Sequence, residues 1–394
     1  MRDSIRVLVL NRISESGLVR LPAPVYVVGS EIESPDAILL RSADLHSMTI
    51  PQSVRAIARA GAGTNNIPVA QMSARGVPVF NAPGANANAV KELVLAGMLL
   101  AARNLPEALR FVDTIDPECP DIGTLVEQRK KAFSGFELAG QTLAVIGLGR
   151  IGCLVADAAI RLGMDVIGFD PEITVDAAWS LPAQVRKAHS VGEALRAARF
   201  VTLHVPLLAA TRGLIGAESL RNVQPGTVLL NFSREGVVDE PAVLAALDEG
   251  RLLRYVCDFP SAAIDAHQRA IALPHLGAST SEAEENCARM VADQLRDYLE
   301  NGNVRNAVNF PDTWAPRESA FRVAIANANV PNMLGQISTA MARADLNINN
   351  MLNKSRGDMA YTIVDVDSPV SRDAIASIER IDGVLSVRYL PAVD

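Results

Sequence analysis

Short apolar runs alternate with stretches of helical periodicity along most of the chain. Residues 5–10, 25–28, 37–40, 56–58 and 77–80 are apolar runs of strand length with helical stretches between them. That rhythm predicts a small parallel-sheet domain. Residues 86–105 then read as a helix rich in Ala, Leu and Val and apolar on nearly every face. Such a helix is expected in a core or in a contact between subunits. A second α/β series follows, with strands at 166–169, 200–205, 227–231, 254–257 and 270–273 and a helix over 237–249. Strands joined by short helices predict a doubly wound sheet. A long polar helix is predicted over 281–301, ended by Asn301-Gly302-Asn303, and the proline-containing stretch 309–316 reads as a linker. Beyond it the order becomes strand 321–326, helix 332–344, strands 348–352 and 361–366, helix 371–381 and strand 384–389. This β-α-β-β-α-β order is the ferredoxin-like split βαβ arrangement.

The second series opens on the sharpest chemical signal. Ala144-Val145-Ile146 runs into Gly147-Leu148-Gly149-Arg150-Ile151-Gly152, a helix pattern follows, and the next strand ends in Asp170. Gly147 permits a sharp turn off the strand, Gly149 lets backbone approach a pyrophosphate, and Gly152 lets helix and strand pack closely. Arg150 and Ile151 open the helix, whose free N–H groups and partial positive charge face the phosphates. Asp170 can accept hydrogen bonds from both adenosine ribose hydroxyls and would repel a 2′-phosphate, which favours NAD over NADP. Strand, glycines, helix, second strand and acid all fall in the order that gives the fingerprint its meaning.

Composition narrows the remaining choices. A chain of 394 residues holds two or three domains, and 49% hydrophobic content is ample for their cores. The net charge is −7 and the longest basic run is Arg129-Lys130-Lys131, which argues against nucleic acid as the main partner. Cys119, Cys153, Cys257 and Cys287 lack metal or redox spacing; three lie in apolar patterns, as buried free thiols of a reducing compartment do. The N-terminus reads as a strand, not a signal peptide, and the longest apolar run, 93–102, contains Gly97 and is too short to span a bilayer. A soluble cytoplasmic protein without membrane contact is the expectation.

Two further side chains stand where strand ends collect chemistry. Arg234 lies in Asn231-Phe232-Ser233-Arg234-Glu235-Gly236, after a strand of the nucleotide-binding series, where it can hold a carboxylate through two parallel hydrogen bonds. His275 lies in Leu273-Pro274-His275-Leu276-Gly277 after the last strand of that series. It is either the proton acceptor for an alcohol or a hydrogen-bonded structural histidine, and the stretch alone leaves both open. His204 has a similar position without an arginine or glycine loop, and a structural role is expected of it.

The glycine fingerprint, the Asn231–Arg234 loop and Pro274-His275-Leu276-Gly277-Ala278-Ser279-Thr280 together resemble the D-isomer-specific 2-hydroxyacid dehydrogenases. The stretches at 58–67 and 79–88 resemble the substrate-domain loops of that family, and the C-terminal segment resembles its amino-acid-binding ACT module. The resemblance implies an α/β enzyme with a discontinuous flavodoxin-like substrate domain, residues 1–88 and 275–310. It further implies a Rossmann NAD-binding domain at 89–274 and a ferredoxin-like ACT domain at 320–394. It implies that His275 takes the C2 hydroxyl proton while Arg234 holds the carboxylate. Backbone N–H groups of Ala62, Gly63 and Thr64 would complete the carboxylate site, Arg59 would meet a phosphate or carboxylate, and Asp258 would meet the nicotinamide end of the cofactor. A phosphorylated hydroxy acid is the implied substrate, with Lys91 and the Arg129–Lys131 run as further candidate charges. L-serine is the implied effector, held by Asn327, Asn329 and Asn347, and a homodimer or homotetramer through the helix at 86–105 is the implied assembly. The alternatives are another D-2-hydroxyacid dehydrogenase, or a regulatory protein that binds NAD and an amino acid without turnover.

Three departures from the family pattern stand out. Ala262 and Ala263 occupy the place of a glutamate expected to orient His275, leaving Asp265 as the nearest acid. Glu235 puts a negative charge beside Arg234, and Asn332 stands where ACT loops often carry glycine.

Overall fold

A computed structural model describes residues 4–391, in which the alternating runs form three sheets. The first holds β1 (Ile5–Leu10), β2 (Tyr26–Gly29), β3 (Ala37–Leu40), β4 (Ala56–Arg59) and β5 (Val79–Phe80), all parallel, in the order β2-β1-β3-β4-β5. This is the flavodoxin-like order, and its switch point lies between β1 and β3. All four residues of β3 are buried, as expected of a strand covered on both faces.

The second sheet holds β6 (Thr142–Ile146), β7 (Asp165–Phe169), β8 (Arg186–Lys187), β9 (Phe200–Leu203), β10 (Thr227–Asn231), β11 (Leu252–Cys257) and β12 (Ala270–Ala272). It is parallel throughout, in the order β12-β11-β10-β9-β6-β7-β8, a Rossmann sheet with its switch point between β6 and β9. Helix Ala87–Ala102 covers one face of it. The helix buries a stripe through Val90, Val94, Gly97, Met98 and Ala101, while Leu99 is 43% exposed. A Cβ at Gly97 would lie 3.1 Å from the ring of Phe232. The helix is therefore not apolar-buried all round, as its composition suggested. It also stops earlier, because Asn104 turns the chain at φ +49. The following helices, Leu105–Asp113 and Ile122–Arg129, bury no residue.

The third sheet is antiparallel, with β13 (Phe321–Ala328), β14 (Ile348–Arg356), β15 (Met359–Val366) and β16 (Val384–Pro391) in the order β14-β15-β13-β16. With helices Met333–Arg343 and Arg372–Glu379 it makes the ferredoxin-like unit of an ACT module. Pleat alternation gives it two apolar faces. Val323, Ile325, Val364 and Val366 pack on its own helices. Ala324, Ala326, Tyr361, Ile363 and Leu390 instead join Phe80, Phe310 and the long helix Ser281–Asn301 in one core.

The stretch at 309–316 is accordingly not a free linker. Phe310 is fully buried against Tyr361, and Asn309 accepts from the Val79 N–H and donates to the Val77 carbonyl. Arg322 fixes the seam: its guanidinium pairs with Asp365 through two bonds of 2.7 Å and donates to the carbonyls of Asn301, Ala315 and Pro316. All five of its N–H donors are thereby used, which is what lets a charge lie at 0% exposure.

The chain falls into two compact units, Met1–Asn86 with Ser281–Asp394, and Ala87–Thr280. The first unit thus carries both the flavodoxin-like sheet and the ACT-like sheet. The four cysteines are free, three of them buried, and among the described residues no helix is long and apolar enough to cross a membrane.

Candidate active site

The glycine loop leaves β6 at the switch point of the Rossmann sheet. Gly147 has φ +94, and a Cβ there would lie 2.5 Å from the carbonyl oxygen of His204 at the end of β9. A Cβ at Gly152 would lie 2.0 Å from the Gly147 carbonyl oxygen, so only glycine allows the helix Arg150–Arg161 to approach the turn. At Gly149 a Cβ would meet nothing within 4 Å. Open space therefore stands over the helix N-terminus, whose first N–H groups have no intrahelical acceptor. Arg150 is exposed and Ile151 half-buried. Asp170, at the end of β7, ties the loop down: it accepts from Leu148 N–H at 2.8 Å and Glu172 N–H at 2.9 Å. The cradle, the helix end and the acid fit a dinucleotide. These residues would hold NAD.

The Arg234 loop is set by Asn231, buried at the end of β10. Its Oδ1 accepts from the Ser233 N–H and hydroxyl, and its Nδ2 donates to the Arg234 carbonyl at 3.0 Å. Arg234 is exposed; one Nη1 bond goes to the Ser233 carbonyl at 2.6 Å, and the other donors have no partner among the described residues. Glu235 is exposed and forms no ion pair with it.

His275 has φ +58, in the left-handed region. Asp258, 2% exposed, holds it there by accepting 2.7 Å bonds from the N–H groups of Leu276 and Gly277. Two successive backbone donors on one carboxylate over-determine the turn and offset the strain at the histidine. The imidazole is exposed and meets the ring of Phe259 at 5.3 Å between centroids and 69° between planes. Ala262, Ala263 and Asp265 are exposed on helix Ala262–Ala266, and among the described residues no carboxylate bonds to the His275 ring. His204 takes the structural place expected of it. Its Nε2 pairs with the Thr202 hydroxyl at 3.0 Å, its Nδ1 is buried with no hydrogen-bond partner among the described residues, and burial pushes its pKa down to about 3.

The other unit carries a cationic edge. Arg59 ends β4 and its Nε donates to the Arg41 carbonyl at 3.0 Å; a Cβ at Gly61 would clash with its guanidinium at 2.6 Å. The turn that follows is fixed by Asn81 Nδ2 on the Ala62 carbonyl and by Ala82 N–H on the Gly61 carbonyl. Among the described residues, no acceptor takes the N–H groups of Ala62, Gly63 and Thr64. Arg41, directly after β3, is a second arginine at this edge that sequence reasoning did not single out. The same signal that picked out Arg234, a guanidinium one step past a strand, could have found it. Its guanidinium pairs with Glu284 at 2.7 Å. Lys91, by contrast, is held by Asn88 and Glu92 on its own helix, and the Arg129–Lys131 run is exposed on elements with no buried residue.

The three asparagines of the ACT-like unit do not converge. Asn327 is 1% exposed and bonded to Ala328 and Thr362, while Asn329 donates to the Gly357 carbonyl. Asn347 precedes β14, beside Asp367, at the other end of the sheet. In the register of β15 the two ends are six residues apart, Ala360 to Val366, or about 20 Å. Asn332 takes φ +64, the conformation glycine would supply.

Comparisons with known proteins show what the chain as a whole is similar to. The family "D-isomer specific 2-hydroxyacid dehydrogenase, NAD binding domain" matches residues 95–277. A D-3-phosphoglycerate dehydrogenase of Haemophilus influenzae is 32% identical over 340 residues, covering 83% of this chain and 79% of the relative. One of Methanocaldococcus jannaschii is 34% identical over 294 residues, covering 72% of this chain; the match spans only 53% of that relative's length. Among solved structures, the NAD+-bound 3-phosphoglycerate dehydrogenase of Entamoeba histolytica superposes with a TM-score of 0.60 at 24% identity, over 77% of this chain and 98% of that one. That likeness shows the fold.

Proposed function

Because the chain belongs to the D-isomer specific 2-hydroxyacid dehydrogenase family of NAD-dependent oxidoreductases, we propose that it oxidises D-3-phosphoglycerate to 3-phosphohydroxypyruvate, the first step of L-serine synthesis. The observation that carries the choice of substrate is Arg59 at the end of β4 beside the N–H groups of Ala62, Gly63 and Thr64, which have no acceptor among the described residues, with Arg41, paired to Glu284, next to them. An acid with two anionic ends needs that many donors; a simple hydroxy acid does not.

In this reading His275 takes the proton of the C2 hydroxyl. Arg234 holds the carboxylate and polarises the reacting oxygen. The Ala62–Thr64 N–H groups complete the carboxylate site, and Arg59 with Arg41 meets the phosphate. NAD, when bound, accepts the hydride from C2. Asp258 fixes the His275 loop and keeps lone pairs for the nicotinamide amide. Asp170 excludes a 2′-phosphate. The buried free thiols suit the reducing cytoplasm.

L-serine is the proposed effector of the ACT-like unit. One copy cannot bring Asn327, Asn329 and Asn347 to one ligand. Two copies paired antiparallel along the open edge β14 would set Asn347 of one near Asn329 of the other. A second self-contact, through the exposed helices after Asn104, would make a homotetramer from two homodimers.

NADH formation with 3-phosphoglycerate, D-lactate and D-glycerate in parallel tests the reading. Turnover should favour the phosphorylated acid. Preference for either other acid would mean a different dehydrogenase, and NADH binding without turnover on any would favour a regulatory protein.

A further inference from the structure

A base must present its nitrogen in a fixed direction, and the His275 imidazole has none of the usual polar tethers. Among the described residues no hydrogen bond or ion pair reaches its ring. Asp258 is engaged with Leu276 and Gly277, and Asp265 is exposed on its own helix. The contact that does restrain the ring is aromatic: Phe259 packs edge-to-face on it, at 5.3 Å between centroids and 69° between planes. Phe259 follows directly on Asp258. One dipeptide at the end of β11 therefore holds His275 twice, its backbone through the carboxylate and its ring through the phenyl group. The positive φ at His275 sets where Cα–Cβ points, and the packed phenyl ring then limits rotation about the next two bonds.

We propose that Phe259 is the positioning residue of His275, fixing the imidazole by edge-to-face packing instead of by a charged partner. The proposal rests on the reading of His275 as the base. An aromatic neighbour orients the ring without adding a counter-charge. Its removal should therefore lower the rate of the chemical step and leave binding of acid and dinucleotide alone.

The test compares full-length wild type with Phe259→Leu and Phe259→Tyr. The leucine variant should lose about three- to ten-fold in kcat, the range an aromatic pair supports. Its KM for the acid and its Kd for NADH should stay within about two-fold, since neither depends on the imidazole's rotamer. The tyrosine variant keeps the ring and should keep kcat. Proton NMR of the imidazole C–H groups gives a second readout. The chain has five histidines, and His275 is assigned by the signal lost in His275→Gln. Its resonances should be shifted by the Phe259 ring current in wild type and in Phe259→Tyr, and should move to those of an exposed histidine in Phe259→Leu. Unchanged kcat with unmoved His275 signals in Phe259→Leu would overturn the proposal. So would a tyrosine variant that binds NADH yet loses as much kcat as leucine. If the leucine variant fails to fold, an unshifted His275 signal in wild type overturns it on its own. A wild type that binds NADH but oxidises no D-2-hydroxy acid would instead refute the reading of His275 as base.

Discussion

Arg234 shows how much a single side chain can be asked to do. A guanidinium presents a rigid fork to a carboxylate, whereas an ammonium offers one point charge. Arg234→Lys should therefore lower kcat/KM for the acid by roughly 10²-fold, the loss typical of one preorganised donor to developing charge. NADH affinity, measured by fluorescence titration, should hold. A variant with wild-type kcat/KM would remove Arg234 from the site. His204 makes the opposite kind of prediction, about stability. Its folded pKa of about 3 lies below the ordinary histidine value of about 6.5, so the unfolded chain binds its proton first. Its contribution to stability is intact above pH 6.5 and is lost as pH falls from there toward 3, at about 1.4 kcal/mol per pH unit. Urea unfolding of wild type and His204→Asn from pH 7 to pH 4 should show a wild-type slope steeper by one proton; parallel curves would refute it. At this scale the sequence was most legible where a residue type answers a geometric demand, as at Gly147 and Gly152. It was least legible where a partner is distant along the chain. Nothing near Asp258 announces that it binds Leu276 and Gly277, because only the β11–β12 pairing brings the two segments together.

Among elements, strands with continuous apolar runs were readable to within a residue or two, because burial on both faces leaves no alternative for them. β1, β3 and β10 fall where the pattern put them. The two-residue strand β8 has no such signature, being the exposed pair Arg186-Lys187 at a sheet edge. The stretch at 309–316 misled for a related reason. Prolines and small polar residues look like a tether, yet Phe310 and Thr313 are fully buried, and the seam that buries them is formed by β5, β15 and the end of the long helix. The loop after β12 is where an element-level prediction belongs. Asp258→Asn replaces one of two acceptor oxygens with a donor, so one of the Leu276 and Gly277 N–H groups loses its bond. A buried donor left unsatisfied costs about 1–3 kcal/mol, and a unit of this size loses about 2–4 °C of Tm per kcal/mol. Calorimetry should show that drop. The released turn should also relax His275 from its left-handed conformation, so kcat should fall more steeply than the Tm loss alone explains. A variant with unchanged Tm and kcat would mean the clamp does not hold the loop.

At the scale of the whole molecule the question is what covers the apolar side chains left outside the hydrophobic cores. Leu105, Leu109, Val112 and Ile122 are 39%, 62%, 56% and 40% exposed on two helices that bury nothing of their own. Their composition cannot be told from that of the adjoining helix Ala87–Ala102, and this is why the sequence pointed to the whole stretch at once. The structure separates the two: the first helix serves the Rossmann core, and the next two carry the uncovered surface. An exposed apolar patch on a folded domain marks a contact, and self-association is the commonest way to bury one. Wild type should sediment as a dimer or larger at micromolar concentration. The double variant Leu109→Asp, Val112→Asp should shift to smaller species while still binding NADH, because neither residue touches the glycine loop. The effector follows from the same assembly. With the asparagines at opposite ends of one sheet, L-serine should give heat in calorimetry through pairs of ACT-like units. Asn347→Ala should abolish that heat as fully as Asn329→Ala, although the two lie at opposite ends of the sheet in one copy. Equal heat from the Asn347→Ala variant would mean that one copy binds the ligand alone. A monomer in sedimentation would refute the self-contact, and no heat with L-serine, glycine or L-threonine in protein that binds NADH would leave the third sheet as a structural cover for the long helix.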